Sequence, residues 1–328
     1  MNPFSMGNAW SLGFGFFSRS ALNHAIILIG VGIVAPFILQ YVIAGGPTGM
    51  MNPAMMGESG LGMLATAGGA FLLVMVVSYV LQTGSYFGSW RLGFGADETL
   101  GGAIVYGLVA GLLAVVALAV LFIVLGLVVS QSGSAGGAIL VALLFLIPLM
   151  LVFAILYTVL VAVAAVAMFL ALLLALAFGA SMGELSPALD MTGGGGLVVL
   201  VALAIIMLLF WATVRFSCVT SAMAHRKTFN PIVGLSESWR LTAANQWRIM
   251  GYLALIGVVL LVVIFVATMI VGASMLGSMQ GGGVPDVGLG TAIISLLIGI
   301  PIAYLVVLVP AGIYRELGAA TDAAEVFA

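Results

Sequence analysis

The sequence predicts an all-α fold: a polytopic transmembrane helix bundle with hairpin repeats and interfacial amphipathic helices, built as one integral membrane domain over 1–328. Three observations predict it. The chain of 328 residues is 64% hydrophobic and only 5% charged, against about 25% charged in a soluble domain that must cover its surface with polar groups. Its eight Lys and Arg are Arg19, Arg91, Arg215, Arg226, Lys227, Arg240, Arg248 and Arg315. Between them run long uncharged stretches, and a basic residue at the bilayer centre costs about 2.5–3.5 kcal/mol on insertion scales. The third is length: these stretches reach or exceed the about 20 apolar residues that a spanning helix needs.

The spans follow in order: 22–44, 61–82, 100–130, 137–157, 160–180, 197–217, 249–275 and 288–314. Basic residues concentrate on the cytoplasmic side, so Arg19, Arg91, the group Arg215 to Arg248, and Arg315 are expected on one face. The loops 45–60, 131–136, 181–196 and 276–287 carry Glu58, Glu184, Asp190 and Asp286 and no Lys or Arg. For Arg91 and Arg215 to share a side, the chain between them crosses an even number of times. A single straight helix over the uncharged run 137–180 is about 65 Å long, twice the hydrocarbon thickness. Two crossings there, turning near Tyr157–Thr158, fit its length; a re-entrant hairpin is the alternative. Both termini then lie in the cytoplasm, and the N-terminal Met1–Ser18 reads as no removable signal peptide.

Three segments resemble one another: Ala9-Trp10-Ser11-Leu12-Gly13-Phe14-Gly15, Ser89-Trp90-Arg91-Leu92-Gly93-Phe94-Gly95, and Ser238-Trp239-Arg240-Leu241-Thr242. Each precedes a hydrophobic span, which points to an internal repeat of an interfacial Trp segment followed by a helical hairpin. In the third, Asn230-Pro231 offers an N-cap and a first-turn proline to an interfacial helix over 231–247. Ile232, Leu235, Trp239, Ala243 and Trp247 share one face at helical spacing. Glu237, Ser238, Asn245 and Arg248 fall opposite, with Arg240 at the edge. A helix of this kind lies in the headgroup layer. Arg226, Lys227, Trp239, Arg240, Trp247 and Arg248 are therefore the candidate contacts for a lipid headgroup or a partner, beside the plainer reading of a topological anchor.

Other motifs carry less. Met50, Met51, Met55 and Met56 are soft donors, but no His or Cys accompanies them, and interfacial packing is the expectation. His24 and His225 sit at membrane edges without an acid cluster to complete a metal site. Cys218 reads as a small apolar filler rather than a reactive or acylated thiol. The glycine runs 193–196 and 281–283 follow no strand and precede no Lys-Ser/Thr, so they are loops, not phosphate cradles. Gly107-x-x-x-Gly111 permits a close helix approach. Pro36, Pro148, Pro301 and Pro310 interrupt apolar runs as in some transporters, yet no Asp, Glu, Lys or His lies in the middle of a span. Their absence counts against a proton-driven carrier, though not against Na⁺ sites built from carbonyls, and against intramembrane hydrolysis, which needs a base or a metal.

From Arg215 to Tyr252, and most closely over 237–248, the sequence resembles the membrane domain attached to some glycerophosphodiester phosphodiesterases and its stand-alone bacterial relatives. The resembling features are a helix ending in a basic-aromatic segment, the Ser238-Trp239-Arg240-Leu241-Thr242 string, and a Trp247-Arg248 start to the next span. The resemblance implies a bundle of about six helices, commonly without assigned activity, in a bacterial inner membrane. The phosphodiesterase chemistry of those relatives sits in a separate soluble barrel of acids and histidines that has no counterpart here, so no catalytic residue carries over. The expectation is a non-enzymatic scaffold or lipid-interacting module, without cofactor or metal. Its partners are membrane lipids and a membrane-protein partner or a second copy; a formal charge of -2 leaves no nucleic-acid footprint. The alternative is a transporter or permease component for an apolar or amphipathic solute.

Overall fold

A computed structural model describes residues 3–18, 20–43, 68–95, 98–131, 158–182, 195–279 and 289–326. Among them every regular element is a helix. Helix α1 is Met6–Ser18; α2 (Ala21–Ala25), a π-helical run (Ile26–Val34) and α3 (Ala35–Ile43) follow as one continuous rod. Next come α4 (Gly68–Phe94), α5 (Leu100–Gln131), α6 (Thr158–Met182), α7 (Gly195–Phe216), α8 (Val219–His225), α9 (Pro231–Thr242), α10 (Gln246–Met279) and α11 (Leu289–Val326). Among the described residues five stretches are long and apolar enough to cross a bilayer: Ala21–Tyr41, Leu100–Leu121, Ile206–His225, Gln246–Val266 and Leu296–Gly318. The chain is thus an all-helical, multi-pass membrane bundle. The segment 137–157, the four methionines of 50–56, Arg19 and both glycine runs except Gly195 and Gly196 lie outside the described residues.

The first rod shows why its sequence bends. Pro36 has no N–H to donate and its ring crowds the carbonyl one turn back. The helix ahead of it widens into a π run, where the Ala35 N–H reaches back to the Gly30 carbonyl. Such widening is a recognised answer to a proline or an inserted residue in the helical ladder. The run packs on α4, where Gly32 lies so close to the Ser85 side chain that any added methyl would collide with it.

Glycine sets the closest helix pair. A methyl built on Gly84 would stand 2.9 Å from the Gly107 carbonyl, and one on Gly111 2.5 Å from the Val80 carbonyl. In lipid, helices gain little from the hydrophobic effect on meeting, and close backbone approach at small residues is what holds them. The opposite side of α5 presents Val105, Leu112, Val116, Val120 and Ile123 outward, the face expected of a helix solvated by acyl chains.

Two expectations need correction. The stretch 231–247 is not one helix: α9 ends at Thr242, and Ala243–Asn245 form a turn before α10 begins at Gln246. Asn245 causes the break. Its backbone carbonyl accepts from the Arg248 N–H, while its side-chain oxygen accepts the Phe4 N–H at 3.0 Å, so the residue starts α10 and pins the N-terminal strand of chain. Second, Trp90 is no interfacial residue. It lies within α4, is 1% exposed and donates its indole N–H to the Val307 carbonyl of α11 at 2.9 Å. His24 lies at the start of the stretch Ala21–Tyr41, as expected, and is fully buried there, its Nδ1 2.7 Å from the Ser89 hydroxyl, between the rings of Phe16 and Phe17.

Candidate functional site

The described basic residues gather at one end of the bundle, and the turn between α8 and α9 organises them. Helix α8 closes with the Thr228 N–H on the Met223 carbonyl and the Lys227 N–H on the Ala224 carbonyl. This is the paired 6→1 and 5→2 bonding of a Schellman motif, which needs a left-handed residue after the cap. Lys227 supplies it at φ 52. Three residues on, the Asn230 side chain accepts the Ile232 N–H at 3.0 Å and Pro231 opens α9, as the sequence reading expected. The helices then pack through Gly234, where a methyl would meet the Val219 carbonyl at 2.9 Å.

Carboxylates from two directions hold this turn. Glu98, just before α5, binds Arg91 at 2.7 Å and Lys227 at 3.7 Å. Arg91 in turn donates to the Ala224 and His225 carbonyls at 3.0 and 3.3 Å, where cations suit the negative end of a helix. Glu237 of α9 pairs with Arg226 and accepts from the Tyr314 hydroxyl at 2.8 Å. Tyr314 has a single hydroxyl proton and gives it to Glu237, so His225, 2.9 Å away, donates from Nδ1 to the phenol oxygen. On α11, Arg315 donates to the Gly93 carbonyl at 3.0 Å with its guanidinium over the Phe16 and Phe94 rings. Arg91, Arg226, Lys227 and Arg315 therefore share one end of the molecule through direct contacts.

Helix α9 lies across this end with two unlike faces. Gly234, Ser238 and Thr242, four residues apart, are buried against the protein. Ser238 donates to the Arg215 carbonyl at 2.6 Å and accepts from the Cys218 N–H at 3.2 Å, closing the end of α7. Glu237 and Ser238, expected on a solvated charged face, thus point inward. Cys218 is fully buried, behind that serine, and is a packing residue rather than an accessible thiol. The outward face carries Ile232, Trp239 and Arg240. Trp239 is 44% exposed; its ring stacks under the Arg215 guanidinium at 4.6 Å and meets Trp211 edge-on at 5.4 Å. Arg215 also donates to the Trp239 carbonyl at 3.3 Å.

The six candidate residues therefore divide. Arg226 and Lys227 are committed to carboxylates of the protein. Trp239 and Arg240 face outward on α9. Trp247, 68% exposed, and Arg248 open α10, where Arg248 reaches the Phe4 carbonyl at 3.5 Å. The contacts expected from sequence left out Glu98, Tyr314, Trp211 and Arg215. Trp211 and Arg215 had a readable signal, being four residues apart on one helix; the reach of Glu98 and Tyr314 to distant helices had none. Among the described residues no cluster of three His, Cys, Asp or Glu is placed to hold a metal. No protein-family model matches the chain, and comparison with curated proteins and with solved structures finds no similar chain.

Proposed function

We propose that the chain is a non-enzymatic integral membrane module of a bacterial cytoplasmic membrane, whose basic end contacts anionic lipid headgroups from the cytoplasmic side. One observation carries this reading. At the end where the basic residues collect, Trp239, Trp247 and Arg240 remain turned outward while their neighbours are bonded inward. Exposed tryptophan rings beside an outward-facing guanidinium suit the water–lipid boundary. The resemblance of 237–248 to the membrane domain of some glycerophosphodiester phosphodiesterases supports the same reading, since those membrane domains commonly have no assigned activity and the phosphodiesterase chemistry sits in a separate barrel. In this proposal the chain crosses eight times with both termini inside, 137–157 providing the crossing before α6.

Lipid-dependent melting of the purified full-length chain tests the proposal. Phosphatidylglycerol added to the detergent micelle is expected to raise the unfolding temperature above that with phosphatidylcholine of the same acyl chains. Equal melting in both lipids would remove the headgroup reading. Reagent accessibility of cysteines placed at 186 and 240 tests the topology, which requires them on opposite sides of the membrane.

A further inference from the structure

The chain contains the same four-residue string twice in helices, and one copy shows what the other lacks. In Ser89-Trp90-Arg91-Leu92 the indole N–H ends on the Val307 carbonyl, and the guanidinium ends on the Glu98 carboxylate and two peptide carbonyls. In Ser238-Trp239-Arg240-Leu241 the serine is buried just as Ser89 is. Helical phase then sets the following Trp and Arg in equivalent directions from their serines. Among the described residues, however, no protein atom accepts from the Trp239 indole N–H, and no carboxylate or carbonyl meets the Arg240 guanidinium. Arg215, stacked on the same indole, has no carboxylate partner among them either.

The missing complement is thus an acceptor oxygen near the indole and an anion near the two guanidiniums. A glycerophospholipid offers both together: ester carbonyls at the depth of a boundary tryptophan, and a phosphodiester just outside them. We infer that Trp239, Arg240 and Arg215 form a site for one anionic phospholipid, the lipid taking the places that Val307 and Glu98 occupy around the buried copy. Guanidinium matches a phosphodiester through paired, charge-assisted hydrogen bonds, and the Trp211 edge walls the site on the α7 side. This inference rests on the lipid-contact reading above and gives it a location.

Native mass spectrometry of the full-length chain, titrated in detergent with phosphatidylglycerol or phosphatidylcholine, tests it. Wild-type protein is expected to retain one phosphatidylglycerol in preference to phosphatidylcholine. Arg240→Gln should weaken that retention at least fivefold. Trp239→Phe, which keeps the ring on Arg215 but removes the N–H, should weaken it about twofold to threefold. Trp10→Phe, at an exposed ring of α1 outside the candidate contacts, should leave it unchanged. A phosphatidylglycerol preference that survives both Arg240→Gln and Trp239→Phe overturns the site while the broader lipid reading stands. Equal retention of the two lipids by wild type overturns both. Displacement of the retained lipid by millimolar inorganic phosphate would assign the pocket to a free anion and likewise overturn the inference.

Discussion

Ser89-Trp90-Arg91-Leu92 and Ser238-Trp239-Arg240-Leu241 are the same words with opposite fates. Both sit on helices, and both bury their serine completely. Trp90 is 1% exposed and Trp239 44%; Arg91 is tied to Glu98 and Arg240 is turned outward. The strings cannot explain this, so their surroundings must. The first lies at the end of α4, where α8 and α11 both pack on that helix and supply acceptors. The second lies on α9, covered on one side only. A tryptophan–arginine pair is a set of unspent donors, and the fold decides whether the protein answers them or, in the proposal above, a lipid does.

Substitutions that separate the two copies sharpen this contrast. Trp90→Ala should produce the largest loss, about 3–5 kcal/mol, because a large buried ring and its hydrogen bond vanish together. Trp239→Ala should cost only about 1 kcal/mol, the worth of an aromatic contact at a half-open site. Thermal melts in one detergent compare them, and equal losses would erase the distinction. Arg91→Gln should cost about 3 kcal/mol, since it leaves a Glu98 side chain that is only 9% exposed with the more distant Lys227 ammonium alone, at 3.7 Å; Arg240→Gln should leave the lipid-free melting temperature unchanged.

The serines should behave alike. Ser89→Ala removes the bond to His24 and Ser238→Ala removes two, to the Arg215 carbonyl and from the Cys218 N–H; each should cost about 1–2 kcal/mol, measured in the same melts, and a large effect in only one copy would deny them a common structural role. One expected change is a gain. Lys227→Gly relieves a left-handed residue and should stabilise by about 1 kcal/mol, because the exposed ammonium, 3.7 Å from Glu98, contributes little. A loss on Lys227→Gly would mean that this ion pair outweighs the backbone strain.

Much of the helical layout was legible because charge avoids lipid: the gaps between Arg and Lys outline Ala21–Tyr41, Leu100–Leu121, Gln246–Val266 and Leu296–Gly318 almost unaided. The start of α9 was legible from Asn230-Pro231, whose capping is local. The turn at Ala243–Asn245 was not, since apolar spacing continues across it without Gly or Pro, and the break is made by a side chain reaching the backbone of Phe4. The burial of Trp90 and His24 was hidden for a related reason. Both depend on partners far along the chain, Val307 and Ser89, and nothing within one turn of either residue announces them. At the site, periodicity found Trp239 and Arg240 but could not separate them from Arg226 and Lys227, whose commitment depends on Glu237 and Glu98.

Bromolipid quenching of tryptophan fluorescence tests the division between the two copies most directly. The chain has five tryptophans, so phenylalanine at four of them leaves either Trp90 or Trp239 as the sole reporter in reconstituted full-length protein. Lipids brominated near the headgroup should quench Trp239 strongly and leave Trp90 almost untouched. Equal quenching of the two, or a shielded Trp239, would contradict the account.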